Sequence, residues 1–458
     1  MPVIHNKRFL GIAPKISAHL LREEQAQIAQ DVNLWSQSLR PLVKPLIGPR
    51  LTKEGPIQTL HRYRDDSVWL CWLQDVNATQ GPINDDPIQR LYFTGTDKPR
   101  VTTNYLYAIE DDEIVSSPDR NYVLNGDMQI AQRGTAFTST GTYPNNDDAY
   151  LLDQWVLLSD GNDIVDVSQE TTTIPADGLT AAKLDVETAN KKFGIIQFIE
   201  NRNIAGLIGQ TVTLSFKARK GAANATVDTL RCAVLVWDGT ADALTSDIVS
   251  AWNVEGTNPT PVANWTIENT PANLALTNAY QTFTAQAAID TPSAKNLAVF
   301  IWCDNGDATV GDLIYITDVD LYLGTVAQPF EHGAFDDVLM ECQRHFETSF
   351  DYGTAPADGT GNYWSPSTAS VISTGVIVMQ CHWQNSKRVA PSVTFFNSDI
   401  GGTAGQWAYR NIGAGGYTAF TPTLGFATRR MASVNGGTGL TGGNAFLVYG
   451  NWTSSAEL

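Results

Sequence analysis

Charged side chains are scarce in this chain of 458 residues: Asp, Glu, Lys and Arg together make up 17%. Positive charge is the scarcer sign, with 30 Lys and Arg against 48 Asp and Glu, a net charge of −18. Such a surface repels phosphate backbones and excludes duplex binding as the main task. No apolar run approaches the ~18 residues of a membrane span, so none is expected. The opening MPVIHNKRFLGIAPK has no apolar core of a signal peptide, which points to synthesis in a cytoplasm. The five cysteines, Cys71, Cys232, Cys303, Cys342 and Cys381, include no C-x-x-C pair. Buried free thiols are the reading, and a zinc site is not expected. None of the six histidines forms H-x-x-x-H or H-E-x-x-H, and G-x-S-x-G and the P-loop pattern are both missing. No catalytic residue and no metal ligand is nominated on motif grounds.

What is present is apolar and glycine-rich. Hydrophobic residues reach 43%, aromatics 10%, and there are 37 glycines. That mixture predicts a mainly β chain with glycine at turns and aromatics on half-buried strands. Its length calls for two to four domains. Residues 1–56 read as an apolar, proline-broken arm, a short helix over LLREEQAQIAQDVNLW, and a second arm. Leu21, Ile28, Val32 and Trp35 fall near one face of that helix. Residues 57–120 read as a small β region, with GTDKP as a turn between strands. Residues 121–328 read as a jelly-roll β-sandwich. In TVTLSFKA, Val212, Leu214 and Phe216 alternate with polar residues, while RCAVLVW and NLAVFIW are apolar almost throughout. Residues 329–350 read as a connecting helix with Phe335, Val338, Leu339, Cys342 and Phe346 on one stripe. Residues 351–458 read as a C-terminal β module.

Four groups of carboxylates invite a test for glycosidase chemistry: Asp111–Asp112–Glu113, Asp147–Asp148, Asp318/Asp320 and Asp336–Asp337. Asp318 and Asp320 would share one strand face about 7 Å apart, within the range for a sugar-cleaving pair. The plainer reading is two acids on a solvated face. Asp147 and Asp148, beside Asn145 and Asn146, could coordinate Ca²⁺ through loop oxygens, against the plainer reading of a solvated turn. Trp155, Trp237, Trp302 and Trp383 lie in or beside strand-like runs and are expected in cores. Trp407 and Tyr409, in GGTAGQWAYRN, are the ligand-binding candidates, as flat rings on a glycine-rich loop where a sugar can stack. Packing under the loop or in an oligomer interface is the competing reading.

Three stretches carry a resemblance. FLGIAPKISAHLLREEQAQIAQDVNLWSQSLRPLVKP resembles the leading segment of tail and nozzle-like proteins of short-tailed bacteriophages, although Gln37–Ser38 replace the usual glycine. NYVLNGDMQIAQRGTAF, followed by YLLDQW, resembles the opening of carbohydrate-binding-like jelly rolls in prophage tail fibres, with Gln154 in place of the usual Arg. ITDVDLYLGTVAQPFEHGAFDDVLMECQRHFETSF and the ending NWTSSAEL are similar to the same fibres. The resemblance implies a structural virion protein of the tail, a fibre or adaptor subunit without enzymatic activity. It would dock to other tail proteins through Phe9, Leu10, Ile12, Pro14, Leu21, Ile28, Leu39 and Pro41. It would act as a homo-oligomer, with a trimer favoured over a hexamer, and would present its β-domains to a host-surface glycan. A purely architectural nozzle, collar or head-decoration protein is the alternative, and a polysaccharide depolymerase the second alternative.

Overall fold

The computed structural model describes residues 120–361 without a break, residues 369–458 apart from 373–375, 400–401, 412–416 and 438–444, and short segments, mostly strands, before residue 120. The chain divides into two compact units, Met1–Glu113 and Ile114–Leu458. It is mainly β, and every described strand pair but one is antiparallel.

In the first unit, Thr59–Tyr63 pairs with Val68–Trp72, and Asn77–Gln80, Leu91–Thr94 and Arg100–Thr102 form a three-stranded sheet. The strands flanking GTDKP therefore pair as expected. A small core joins Trp72, Val76, Leu91 and Phe93, with the Trp72 and Phe93 rings 5.4 Å apart. The expected N-terminal helix is corrected at two places. Gln25–Ala26 pairs in parallel with Gly11–Ile12, and Val32–Asn33 pairs with Arg40–Pro41. A helix of this length is marginal without a packed face, so pairing with the flanking arms competes well. Of the docking candidates, Ile12 and Pro41 lie in these short strands. Phe9, Leu10, Pro14, Leu21, Ile28 and Leu39 lie outside the described residues, as do Asp111–Asp112–Glu113.

In the second unit the sandwich has two sheets. The first runs Ala136–Phe137, Val165–Glu170, Ala181–Val186, Leu313–Leu323, Thr211–Lys220 and Gln281–Ala288. The second runs Ala149–Tyr150, Trp155–Ser159, Phe193–Ile199, Asn296–Cys303, Thr229–Trp237 and Trp265–Ile267. The alternation seen in the sequence places Val212, Leu214 and Phe216 between the sheets, all fully buried. The continuous apolar runs have a different cause. Thr229–Trp237 and Asn296–Cys303 are buried on both faces, because a second apolar cluster covers the outer side of their sheet.

The connecting helix is shorter than the periodicity suggests: it spans Phe335–Gln343. Phe346 belongs instead to the strand Phe346–Thr348, whose backbone pairs with Asn451–Ser455. The expected stripe is buried only at Cys342 and Phe346; Val338 and Leu339 are half-buried, and Phe335 is exposed, its ring edge-on to Tyr352 at 5.0 Å. The C-terminal module adds that three-stranded sheet, completed by Ser392–Phe396, and a seven-stranded sheet with Ala369–Ile372 at its centre, next to Val376–His382. The four described cysteines, Cys232, Cys303, Cys342 and Cys381, are free and buried.

One glycine is demanded by packing. A Cβ on Gly194 would stand 2.4 Å from the Ile301 carbonyl oxygen and 2.6 Å from Trp302 Cβ. Gly194→Ala should destabilise the protein by about 1–3 kcal/mol, through overpacking between two central strands. Urea denaturation checks this as a lower midpoint at unchanged slope.

Candidate functional site

The nominated acid pair is not on a solvated face. Asp318 is 3% exposed and Asp320 1%. The strand Leu313–Leu323 carries a β-bulge here: Ser215 faces Asp320 while Lys217 faces Thr317, so Phe216 stands opposite two residues. Asp318 takes φ 51°, which swings its carboxylate to within 2.9 Å of Lys217 Nζ. Lys217 also donates to both oxygens of Asp177 at 2.8 Å. The two ends of the sandwich chain close over the bulge. Tyr122 N donates to the Leu321 carbonyl, Val319 N donates to the Gly126 carbonyl, and His332 Nδ1 lies 2.9 Å from Asp127 Oδ2. Burial first, then Asp318, Asp127 and Glu331, pushes Asp320 up to about 8, so it is protonated at neutral pH. The period-two pattern placed both acids on one face, but it could not report that the face is covered.

The loop aromatics are corrected as well. Trp407 begins the strand Trp407–Asn411, is 1% exposed, and donates its Nε1 hydrogen to the Asn451 carbonyl at 3.0 Å. Tyr409 is half-buried, edge-on to Phe446 at 5.4 Å. Both rings pack into the core of the module, so the exposed platform expected there does not form. The exposed ring nearby is Tyr417, 62% exposed on the neighbouring edge strand Tyr417–Phe420. Arg410 lies over it at 5.8 Å, and Tyr449 flanks it edge-on at 5.5 Å. Sequence reading missed Tyr417, although the glycine-rich run that precedes it was a signal.

Asp147 and Asp148 are engaged by protein groups. Asp147 Oδ1 accepts from Ser159 N at 2.8 Å, and Asp148 Oδ2 accepts from Ser246 Oγ at 3.0 Å. Asp336 and Asp337 sit in the first turn of the short helix, where negative charge is favourable.

The outer face of the second sheet is aromatic and covered. Phe300 and Trp302 stack at 4.9 Å, and Trp237 and Trp265 pack at 5.4 Å. Residues 238–264 lie across them as a strap and bring Ile248, Trp252 and Val262 onto the face. Gly256 N donates to Asp304 Oδ2 at 2.7 Å and Asn201 N to Asp242 Oδ1 at 2.8 Å, pinning the strap at both ends. The space left beneath it is about 10 Å³, lined by Leu235, Ile248, Pro259, Pro261, Phe300 and Trp302. That holds one water at most. On the same face, buried Arg231 and Lys192 flank Asp304.

The most developed polar site is the junction between the sandwich and the C-terminal module. Gln132 donates from its backbone N to Asp153 Oδ2 at 2.6 Å, and from Nε2 to Asp153 Oδ1 and to the Phe346 carbonyl, each at 2.8 Å. Arg133 lies over the Phe346 ring at 3.7 Å and donates to Glu457 at 2.6 Å. Asn125 donates to the Asp153 carbonyl and accepts from Ile130 N, while Trp155 Nε1 donates to the Asn125 carbonyl. Arg344 pairs with Glu200, and Tyr150 donates to the Leu458 carbonyl. Burial first, then Arg344, Arg388, Lys387 and Arg133, pushes His345 down to about 3, so it stands neutral among these charges. Lys387 is fully buried and held by Glu347 and the Gln343 carbonyl. Asn125, Gln132, Arg133, Asp153, Trp155, Phe346 and Glu457 come from three stretches far apart in sequence and meet at one interface.

No family model matches the chain, and no curated protein matches it. Among solved structures, the chain is similar to the enzymatically active domain of tailspike protein 4 of bacteriophage CBA120, at 18% identity and TM-score 0.27, covering 48% of this chain and 23% of that one. It thus spans about a quarter of the tailspike chain. It is also similar to TmCBM61 in complex with β-1,4-galactotriose, at 11% identity and TM-score 0.26, covering 45% of this chain and 100% of that one. A protein from Bacteroides thetaiotaomicron gives 15% identity and TM-score 0.29 over 45% of this chain and 100% of that one. Overlaps of this size say nothing of function. Among the described residues no helix is long and apolar enough to cross a membrane.

The protonated Asp320 has a pH signature. A carboxyl whose folded pKa is raised contributes stability below its ordinary value near 4, and that stability is lost as pH rises toward about 8. Asp320→Asn removes the titration. Between pH 5 and 8 the variant should gain on the wild type by about 1 kcal/mol per pH unit. Denaturation series at several pH values check this, and parallel curves would contradict it. At the junction, Arg133→Met leaves Asp153 and Glu457 buried without their cation and should cost about 3–5 kcal/mol. Adding Glu457→Gln should recover part of that loss in a double-mutant cycle read by chemical denaturation.

Proposed function

We propose that this chain is a non-enzymatic structural protein of a bacteriophage tail, a fibre or adaptor subunit. Residues 1 to about 115 dock on neighbouring virion proteins, and the remainder is a rigid unit for host-surface attachment. The observation that carries the reading is the charged junction. The stretches that resemble prophage tail fibres, NGDMQIAQRG, LLDQW, RHFETS and NWTSSAEL, supply its interlocking residues. The resemblance therefore follows one physical device, the lock between the sandwich and the C-terminal module, and not scattered similarity. A part that carries load between a particle and a cell needs its modules held in one register.

The non-enzymatic reading draws support from the nominated acids. Asp318 is held by Lys217, Asp320 is protonated, and both lie under the covering chain ends. A glycosidase needs both carboxyls on either side of an accessible sugar ring. Sugar contact, where it occurs, falls to Tyr417 with Arg410 and Tyr449. One stacked ring is weak, so attachment depends on several copies acting together, and a trimer suits that. The architectural alternative is favoured by one observation, the strap that fills the outer face of the second sheet.

Antibody raised against residues 120–458 should decorate the tails of purified particles in negative-stain images. Particles free of label would remove the virion reading. Purified protein incubated with host surface polysaccharide should be retained without release of reducing ends. Tyr417→Ala should weaken retention severalfold while leaving the melting temperature unchanged. Release of defined oligosaccharides would establish an enzyme, and absence of any retention would favour the architectural part.

A further inference from the structure

We propose that His332 is a pH-sensitive latch, closed while its imidazole carries both protons, on the cover that hides the bulge of Leu313–Leu323. Both ring nitrogens face an acceptor. Nδ1 lies 2.9 Å from Asp127 Oδ2, and Nε2 lies 2.9 Å from the Asp177 carbonyl oxygen. A carbonyl and a carboxylate can only accept, so holding both at once takes two N–H groups, and the imidazolium is the form of the ring that has two. The neutral ring has one N–H and must release one partner. If it releases Asp127, a carboxylate that is 2% exposed loses its donor and its facing cation.

The ring ties together three segments that are far apart in sequence. Asp127 belongs to the stretch 120–130, Asp177 to the loop between Val165–Glu170 and Ala181–Val186, and His332 to the linker that runs into the short helix. Weaker contacts close the same seam. The Phe330 ring sits against Gly126, where a Cβ would meet it at 3.1 Å, and stands edge-on to His332 at 4.9 Å. Gln129 Nε2 donates to the Gly333 carbonyl at 3.2 Å, and Thr180 Oγ1 donates to the Asp127 carbonyl. Charged groups face the seam from every side: Asp127 from the leading stretch, Asp177 from the loop, Glu331 from the linker, and Asp318, Asp320 and Lys217 from the sheet beneath. The ring is 24% exposed, so protons reach it while the cover is shut. Burial by itself lowers the pKa of the ring, but the bond to Asp127 and the charges of Asp318 and Asp127 outweigh it, and the net shift is upward. The latch therefore contributes its full stability below the ordinary value of 6.5 and loses it as pH rises through the raised folded value. Asp320 gives up its proton in the same direction, toward about 8. At alkaline pH five acids then face one another across the seam with Lys217 as their cation, and the cover lifts from Asp318 and Asp320.

The test is residue-resolved hydrogen exchange on the full chain carrying Asp320→Asn, so that one of the two protons is removed from the comparison. Val319 N and Tyr122 N report on the cover, because they donate across it to the Gly126 and Leu321 carbonyls. Their protection, corrected for the intrinsic rate, should fall severalfold between about pH 6 and about pH 9. Adding His332→Ala should leave both amides weakly protected at either pH, with no further fall. Adding Asp127→Asn, which keeps the shape of the side chain, should move the fall to lower pH, and this keeps the test decisive if His332→Ala folds poorly. Nitrogen NMR of the imidazole should show both ring nitrogens of His332 protonated at about pH 6. Protection that does not change with pH, or that falls equally without His332, would overturn the proposal. A singly protonated His332 ring at that pH, or a fall that Asp127→Asn does not move, would overturn it equally.

Discussion

The second unit depends on the guanidinium of Arg133. It is 3% exposed, lies flat on Phe346, and reaches Glu457 near the end of the chain. Asp153 stands 3.9 Å away and is fixed by two hydrogen bonds from Gln132. Arginine suits this position, since its planar cation can stack on a ring and donate in its own plane at the same time, which lysine cannot do. The cluster is expensive to desolvate, so each member must be met by a partner. That requirement ties the first strands of the sandwich, the end of the short helix and the last strand of the chain into one arrangement. Lys387 repeats the device nearby with Glu347, which lies on the strand that follows the helix.

The same unit closes its own surfaces. On the first sheet, residues 120–130 and 330–332 lie over the bulge of Leu313–Leu323, and the acids beneath are satisfied by Lys217 or protonated. On the second sheet the strap of residues 238–264 fills the aromatic face. Thr229–Trp237 and Asn296–Cys303 are thus buried on both faces, which explains why RCAVLVW and NLAVFIW read as continuous apolar runs. Surface aromatic contact is left to edges such as Tyr417–Phe420 and Thr423–Ala427, where Tyr417 and Phe426 are more than half exposed.

Local pattern was legible where local physics decides. Val212, Leu214 and Phe216 alternate with polar residues because one face of their sheet packs against the other sheet, and the tryptophans of strand-like runs lie in cores as expected. It failed where a distant segment decides. Asp318 and Asp320 look solvated until residues 120–130, almost two hundred positions earlier, are laid over them. Trp407 looks exposed in its glycine-rich run until Asn451 accepts its indole hydrogen and Gly450, where a Cβ would stand 2.2 Å from the ring, makes room for it. The helical stripe was read through Phe346 because a heptad-like spacing persists by chance past Gln343. The backbone there switches to strand, since Asn451–Ser455 offers it a ladder. The junction was visible only as a resemblance: its residues could be quoted, but nothing in their spacing says that they touch.

The junction's use of charge makes sense in terms of what it joins. Two β modules that met through an apolar patch would gain at least as much stability, since replacing a buried ion cluster by well-packed hydrophobic groups is often neutral or favourable. An apolar patch, however, tolerates sliding, because its energy depends on area and hardly on direction. The Arg133 cluster does not. A shift of one residue along the strand Asn451–Ser455 would displace Glu457 from Arg133, strand both charges, and break the stack on Phe346. The same slip would turn Trp452 and Thr453 to opposite faces, since strand side chains alternate. Charge therefore selects one register between modules, at a cost in stability that the large apolar core of the sandwich offsets. Neutral His345 fits the same logic. In a pocket already holding Arg133, Arg344, Arg388 and Lys387, a further positive charge would weaken the lock, and burial keeps that proton off.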